Sequence, residues 1–154
     1  MENTDDIKII AQNKKAAHDY FVLEKYEAGI ELFGTEVKSI RRGRVNLKDS
    51  WCQIEKGEIF ACGMHISPYE QGNIFNRDPL RKKRLLMHKR EIRRLFDKVR
   101  REGLTIVPLT VYFLKGRAKL EIGLCKGKKN YDKRETAAQR DAKRSMERSI
   151  KERR

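Results

Sequence analysis

The amino-acid sequence predicts a mainly β protein with short helices, built as an oligonucleotide-binding (OB-like) β-barrel followed by a basic C-terminal tail that passes from disordered to helical. Three observations predict it. Five or six short runs of strand character are separated by turn signals, only two segments carry a helical period, and strand character stops after Cys125. The 154 residues make one ordinary domain. Its expected parts are a flexible extension over 1–12, the barrel over 13–125 and the tail over 126–154.

Taken in order, residues 1–12 show no convincing period. From 20 to 33, Tyr20, Val22, Glu24 and Tyr26 alternate with Phe21, Leu23 and Lys25, which is a strand pattern. Gly29 inside that run marks a bulge or a close approach of backbone. Thr35 is placed to cap a helix over 36–42 that Gly43 stops, with Val37 and Ile40 on its buried side. Strands are expected at about 47–54 and 58–66, joined through Glu55-Lys56-Gly57-Glu58. Residues 67–84, with Pro68 and Pro79, read as a long loop. Ile92, Leu95, Phe96 and Val99 fall at i, i+3, i+4 and i+7 of a helix over 88–102 that Gly103 closes. Its other face displays Lys89, Arg90, Arg93, Arg94, Arg100 and Arg101. Residues 104–114 and 117–124 form a hairpin across Lys115-Gly116. In the tail, Ala138, Ala142, Met146 and Ile150 recur every four residues, a stripe too narrow to hold an isolated helix.

Charge narrows the partner. The net charge is +15, with charged and hydrophobic residues each at 38%. Residues 77–101 hold 12 Lys and Arg against 3 acidic residues, and 126–154 hold 12 against 5, while the remaining residues net −1. Two dense basic segments beside a neutral body fit a polyanionic partner better than a generally solubilising shell. No stretch approaches the roughly 20 apolar residues of a membrane helix. The acidic start Met1-Glu2-Asn3-Thr4-Asp5-Asp6 predicts no secretion signal, and three cysteines without a CxxC pair predict free thiols in a reducing cytosol.

Catalytic readings lack converging parts. His18-Asp19, read as neighbours on a strand, would point to opposite faces. Cys52 and Cys62 would lie nearly opposite across the 55–58 turn, and with His65 could form a metal corner. A fourth ligand is not evident, so packed core thiols are the stronger reading. Phosphate loop, dinucleotide glycine pattern and nucleophile elbow are all missing from the sequence. A binding protein is expected, with no enzyme activity, no cofactor and no metal. A metal-dependent nuclease using His18, Asp19 and His65 is the remote alternative. A structural ribosomal or RNA-assembly protein of similar barrel-plus-tail design is the nearer one.

The segments NKKAAHDYF (13–21), YEAGIELFGTEVKSIRRGRVNLKDSW (26–51), HISPYEQGNIFNRDPLRKKRLLMHKREI (65–92) and GLTIVPLTVYFLKGRAKLEIGLCKGKKNYDKR (103–134) resemble the small protein B family, the bacterial SsrA-binding or tmRNA-binding proteins. The likeness covers almost the whole chain in order, and the combination of GTEVKSIR, GN-x-x-N-x-x-P-x-R and KGKK-x-x-DKR is specific. The resemblance implies a role in trans-translation, without an enzyme step of its own, in the bacterial cytoplasm. One protein would hold the tRNA-like domain of one tmRNA and bring it to a stalled ribosome. The tail would reach small-subunit rRNA at the decoding centre and the mRNA channel, so that the nascent peptide is tagged for degradation and the ribosome released.

The resemblance further implies RNA contacts at Asn13, Lys14, Glu27, Arg81, Arg84, Leu85, Leu86, Lys126, Lys128 and Lys129, and a decoding-centre element at Asp132, Lys133 and Arg134. Lys and Arg suit phosphates, and a carboxylate such as Glu27 can accept from a base edge or sugar hydroxyl. From spacing alone Glu27 is an ordinary strand carboxylate, and Leu85 and Leu86 equally fit a core position at the helix entrance. Ala142 stands where many family members carry a tail aromatic, so that contact is absent or passes to Tyr131 or Met146.

Overall fold

The computed structural model describes residues 7–69 and 76–128. Along the chain run β1 (Ile7–Gln12), α1 (Lys14–Asp19), β2 (Tyr20–Ile30), α2 (Gly34–Arg41), β3 (Val45–Asn46) and β4 (Trp51–Glu55). They are followed by β5 (Glu58–Cys62), β6 (His65–Ile66), β7 (Lys83–Leu86), α3 (Lys89–Glu102), β8 (Thr105–Leu114) and β9 (Arg117–Gly127). Six strands close a ring in the order β8-β4-β5-β7-β2-β9, with β9 pairing back onto β8. The ring is unevenly laddered. β9 pairs along most of both β2 and β8, whereas β4 meets β8 at the single pair Cys52↔Ile106. The rest of that edge of β8, Thr110–Leu114, is taken by β1. β3 and β6 form a separate two-stranded ribbon.

Alternation in β9 explains why the ring closes. Leu120, Ile122 and Leu124 point inward and are buried, meeting Ala28, Ile59, Leu85, Val111 and Phe113 in one core. Each such Leu or Ile contributes about 1.5–3 kcal/mol relative to exposure. α3 covers one end of this core with Ile92 and Leu95. A second, smaller cluster lies elsewhere, where Ala16 of α1 packs with Val107, Leu109, Tyr20 and Cys125.

The mainly β class, the 104–124 hairpin and the 88–102 helix match expectation. Several boundaries differ. Residues 7–12, expected within a loose extension, form β1, and the barrel runs past 125 because β9 continues to Gly127. His18 and Asp19 end a helix, not a strand, with Nδ1 and Oδ1 3.1 Å apart at the surface. Thr35 lies inside α2, and the entrance is closed by the Phe33 N–H donating to Glu36 Oε1 at 2.8 Å. The 47–54 strand shortens to β4 and the 58–66 run divides into β5 and β6. The expected 67–84 loop ends early in β7, so Leu85 and Leu86 sit on a strand and not at a helix entrance. Gly29 marks a close approach, since a Cβ there would stand 3.2 Å from Leu86 Cβ, while the bulge in β2 falls between Val22 and Glu24.

Candidate nucleic-acid interface

β2 is the spine of the candidate site. From Phe21 to Ile30 it spans about 30 Å at the usual strand rise. At its first end Phe21 lies opposite Lys126 and Tyr20 opposite Gly127. Lys128 Nζ sits 5.0 Å from the centre of the Phe21 ring and donates to the Ala17 carbonyl at 3.4 Å. Lys14 is exposed in the first turn of α1. Midway along β2, exposed Glu27 accepts from the Tyr112 hydroxyl and faces Glu121 across the ladder.

At the far end β7 pairs with β2 through Gly29↔Leu86 and Ile30↔Leu85. Strand alternation sends Leu85 into the core and leaves Leu86 exposed. Arg84 is also outward and bridges Glu58 at 3.1 Å and Glu31 at 3.2 Å. Between them Lys83 is wholly buried, its Nζ donating to the Met64 carbonyl at 2.8 Å and the Arg81 carbonyl at 2.6 Å. Burial pushes the Lys83 ammonium down to about 8, against the pull of Glu36.

Arg81 is held from several sides. Its Nη2 donates to Glu36 Oε1 at 2.8 Å and its Nε to Oε2 at 3.1 Å, with a further bond from Nη2 to the Glu31 carbonyl at 3.2 Å. Glu36 is 5% exposed and Arg81 26%. Burial raises the Glu36 carboxyl, but the Arg81 bonds, the Phe33 N–H and the charges of Arg81 and Lys83 outweigh it and hold it below its usual value. The pair ties the basic loop to the α2 entrance.

The expected site residues therefore divide. Lys126 and Lys128 stand at one end of β2, exposed Lys14 opens the helix α1 that leads into that end, Glu27 stands along the strand, and Arg84 and Leu86 present themselves at the other end. Arg81 joins them with a guanidinium already engaged. Asn13 and Leu85 do not face outward. Asn13 caps α1 by accepting from the Ala16 N–H at 3.0 Å and donates to the carbonyls of Leu47 at 3.2 Å and Pro108 at 2.9 Å. Lys129, Asp132, Lys133, Arg134, Tyr131, Ala142 and Met146 lie outside the described residues.

Sequence reasoning missed the aromatic partners of the cations. Phe33 lies between Arg77 and Arg81, whose guanidinium carbons are 3.8 and 4.8 Å from its ring centre. Tyr69 is approached by Arg42 at 4.8 Å and Lys38 at 5.4 Å. Aromatic residues interleaved with basic ones were the available signal. Arg94, expected on the open face of α3, instead binds Glu24 Oε1 at 2.6 Å and the Tyr26 hydroxyl at 3.2 Å, which fastens α3 to β2.

The suggested metal corner does not form. Trp51 pairs with Cys62 and Cys52 with Ala61, so the two cysteines are diagonal. Cys52 is a core thiol that burial pushes well above its usual range. Among the described residues no three His, Cys, Asp or Glu side chains gather as metal ligands would.

Comparison with known proteins agrees over nearly the full length. The profile of the family described as "SmpB protein" matches residues 10–152. An SsrA-binding protein of Carboxydothermus hydrogenoformans is 64% identical over 95% of this chain and 98% of its own. One from Clostridium perfringens is 59% identical over 99% and 98%. Among solved structures, a chain of "tmRNA-SmpB: a journey to the center of the bacterial ribosome" matches with a TM-score of 0.65 and 51% identity over 77% of this chain and 83% of that one. A matched family profile, relatives of this identity and a shared fold lead to one conclusion: the chain belongs to the SmpB family.

Proposed function

We propose that this chain is a tmRNA-binding protein of trans-translation that acts by binding, without an enzyme step of its own. It holds the tRNA-like domain of tmRNA, delivers it to a stalled ribosome in the bacterial cytoplasm, and lays its tail along the decoding centre and mRNA channel. Tagging of the nascent peptide and release of the ribosome follow. The observation that carries this reading is the set of cations flanking β2, Lys126 and Lys128 at its start with Lys14 on the helix that leads into it, against Arg84 at its far end, with Glu27 along the strand and Leu86 beside Arg84. Such spacing fits a folded RNA whose backbone touches both ends at once. Glu27, with its carboxylate oriented by Tyr112, suits a sugar hydroxyl or base edge. Asn13 and Leu85 support the site from beneath, setting the positions of Lys14 and Leu86.

RNA recovered with the protein should be dominated by one tRNA-like species; a mixed population without such enrichment refutes the reading. Replacing Lys14, Arg84, Lys126 and Lys128 together by Ala should lower the salt slope of tmRNA binding by about 3–4, at roughly 0.9 per phosphate. Replacing Asp132, Lys133 and Arg134 by Ala should leave tmRNA binding intact and abolish peptide tagging. Equal loss of both would remove the proposed division between barrel and tail.

A further inference from the structure

On the ring, β4 lies three strands from β2 in either direction, and only its first residue, Trp51, borders the α1 side of the interface described above. Beside it, between β4, α3 and the start of β8, is a cleft of about 310 Å³ whose lining includes Trp51, Gln53, Phe96, Arg100, Leu104 and Thr105. Trp51 is 46% exposed and Phe96 39%, large aromatic surfaces that the core does not use. The indole is seated, not loose. A Cβ at Gly63 would come within 2.8 Å of Trp51 Cζ3, so the ring rests where only a glycine leaves room.

The rim is cationic. Arg100, one turn beyond Phe96, lines the cleft and places its guanidinium carbon 5.4 Å from that ring centre. Arg100 has no carboxylate partner within 4 Å among the described residues, unlike Arg94 and Lys98 on the same helix. Apolar walls with two aromatic rings, and unpaired positive charge at the edge, match a nucleobase attached to its phosphate. An aliphatic peptide would leave Arg100 unused, and an acidic one would leave the rings unused.

We infer that this cleft takes an unpaired RNA base, stacked against Trp51 and Phe96 with its phosphate neutralised by Arg100. The inference rests on the proposed RNA-binding function and adds a second point of contact, for a single-stranded stretch and not for the folded domain spanning β2. Trp51 is the only tryptophan in the chain, and because it also borders Lys15 of α1 and Tyr20, the response of its fluorescence to Phe96 substitution is what assigns a quench to this cleft.

The test titrates the full chain with tmRNA and with the single-stranded hexamers rA6 and rU6, reading Trp51 emission and, separately, the anisotropy of end-labelled RNA. Saturable quenching by rA6, stronger than by rU6, is expected. Phe96→Ala should raise the midpoint of that quench roughly 5- to 150-fold, the span of one lost base stack, and Phe96→Tyr should restore it. Hexaglutamate should leave the emission unchanged. RNA binding seen by anisotropy with Trp51 emission unaltered would overturn the cleft while leaving the proposed function standing. Equal quenching by hexaglutamate would reduce the site to a charged surface and overturn it too. No binding of any RNA by either readout would overturn both.

Discussion

Replacing Glu36 by Ala removes the carboxylate on which the basic loop and the α2 entrance converge. Arg81 would remain largely enclosed without its two bonds to that carboxylate, the Phe33 N–H would lose its acceptor, and wholly buried Lys83 would lose the negative charge that acts on it most strongly. Truncating one partner of a buried ion pair costs about 3–5 kcal/mol, chiefly because the other charge stays desolvated. With a urea m-value of about 2 kcal/mol/M, the unfolding midpoint should fall by about 1.5–2.5 M. Glu36→Gln keeps the shape and an acceptor for Phe33 but not the charge, and should show an intermediate loss. The folded-state carboxyl is held below 4.5, so its contribution is complete above that pH and disappears as the pH falls through the depressed value. The gap between the native chain and Glu36→Gln should therefore close in acid. A Glu36→Ala midpoint within about 0.3 M of the native one, equivalent to roughly 0.6 kcal/mol, would refute the claim that this pair holds the loop.

Lys83 titrates in the folded chain at about 8, below its ordinary 10.5, so the unfolded chain binds more protons between those values and stability should rise with pH across that window. Unfolding measured on the native chain and on Lys83→Met should differ in slope there and run parallel below it; parallel curves throughout would contradict the assignment. Asn13→Ala should lower stability by about 2–4 kcal/mol in thermal melts, since a helix cap is worth roughly 0.5–2 and two carbonyls lose their donor. Gly63→Ala should cost about 1–2 kcal/mol, because Gly63 has φ +71° and the added carbon meets the Asp49 carbonyl at 3.1 Å. Its denaturation curve should be accompanied by a shifted Trp51 emission maximum.

What could be read before folding was what neighbouring residues settle among themselves. The 104–124 hairpin was legible because Lys115-Gly116 supplies its turn and alternating apolar residues supply both strands. α3 was legible because Ile92, Leu95 and Val99 keep one face apolar and Gly103 ends it. β1 was not, because it lies at a half-exposed edge, shows no alternation, and acquires its form from residues about a hundred positions away on β8. β7 was hidden by a lysine at an inward position, where Lys is expected to point to water. Of the candidate interface, the quoted motifs marked the residue types, but not that Leu85 turns inward while Leu86 turns out, nor that Asn13 is consumed by the carbonyls of Leu47 and Pro108.

By itself, then, the order of residues determined the class of fold, the two basic segments and the family whose motifs they carry. These follow from composition, local period and short spacing, which need no knowledge of distant partners. Closure of the ring, the burial of Lys83, and the placing of Lys126 and Lys128 at one end of β2 and Arg84 at the other were decided only in three dimensions. Each depends on long-range strand pairing and on whether a buried charge finds carbonyls or a carboxylate to satisfy it, and neither is written in any short stretch of chain.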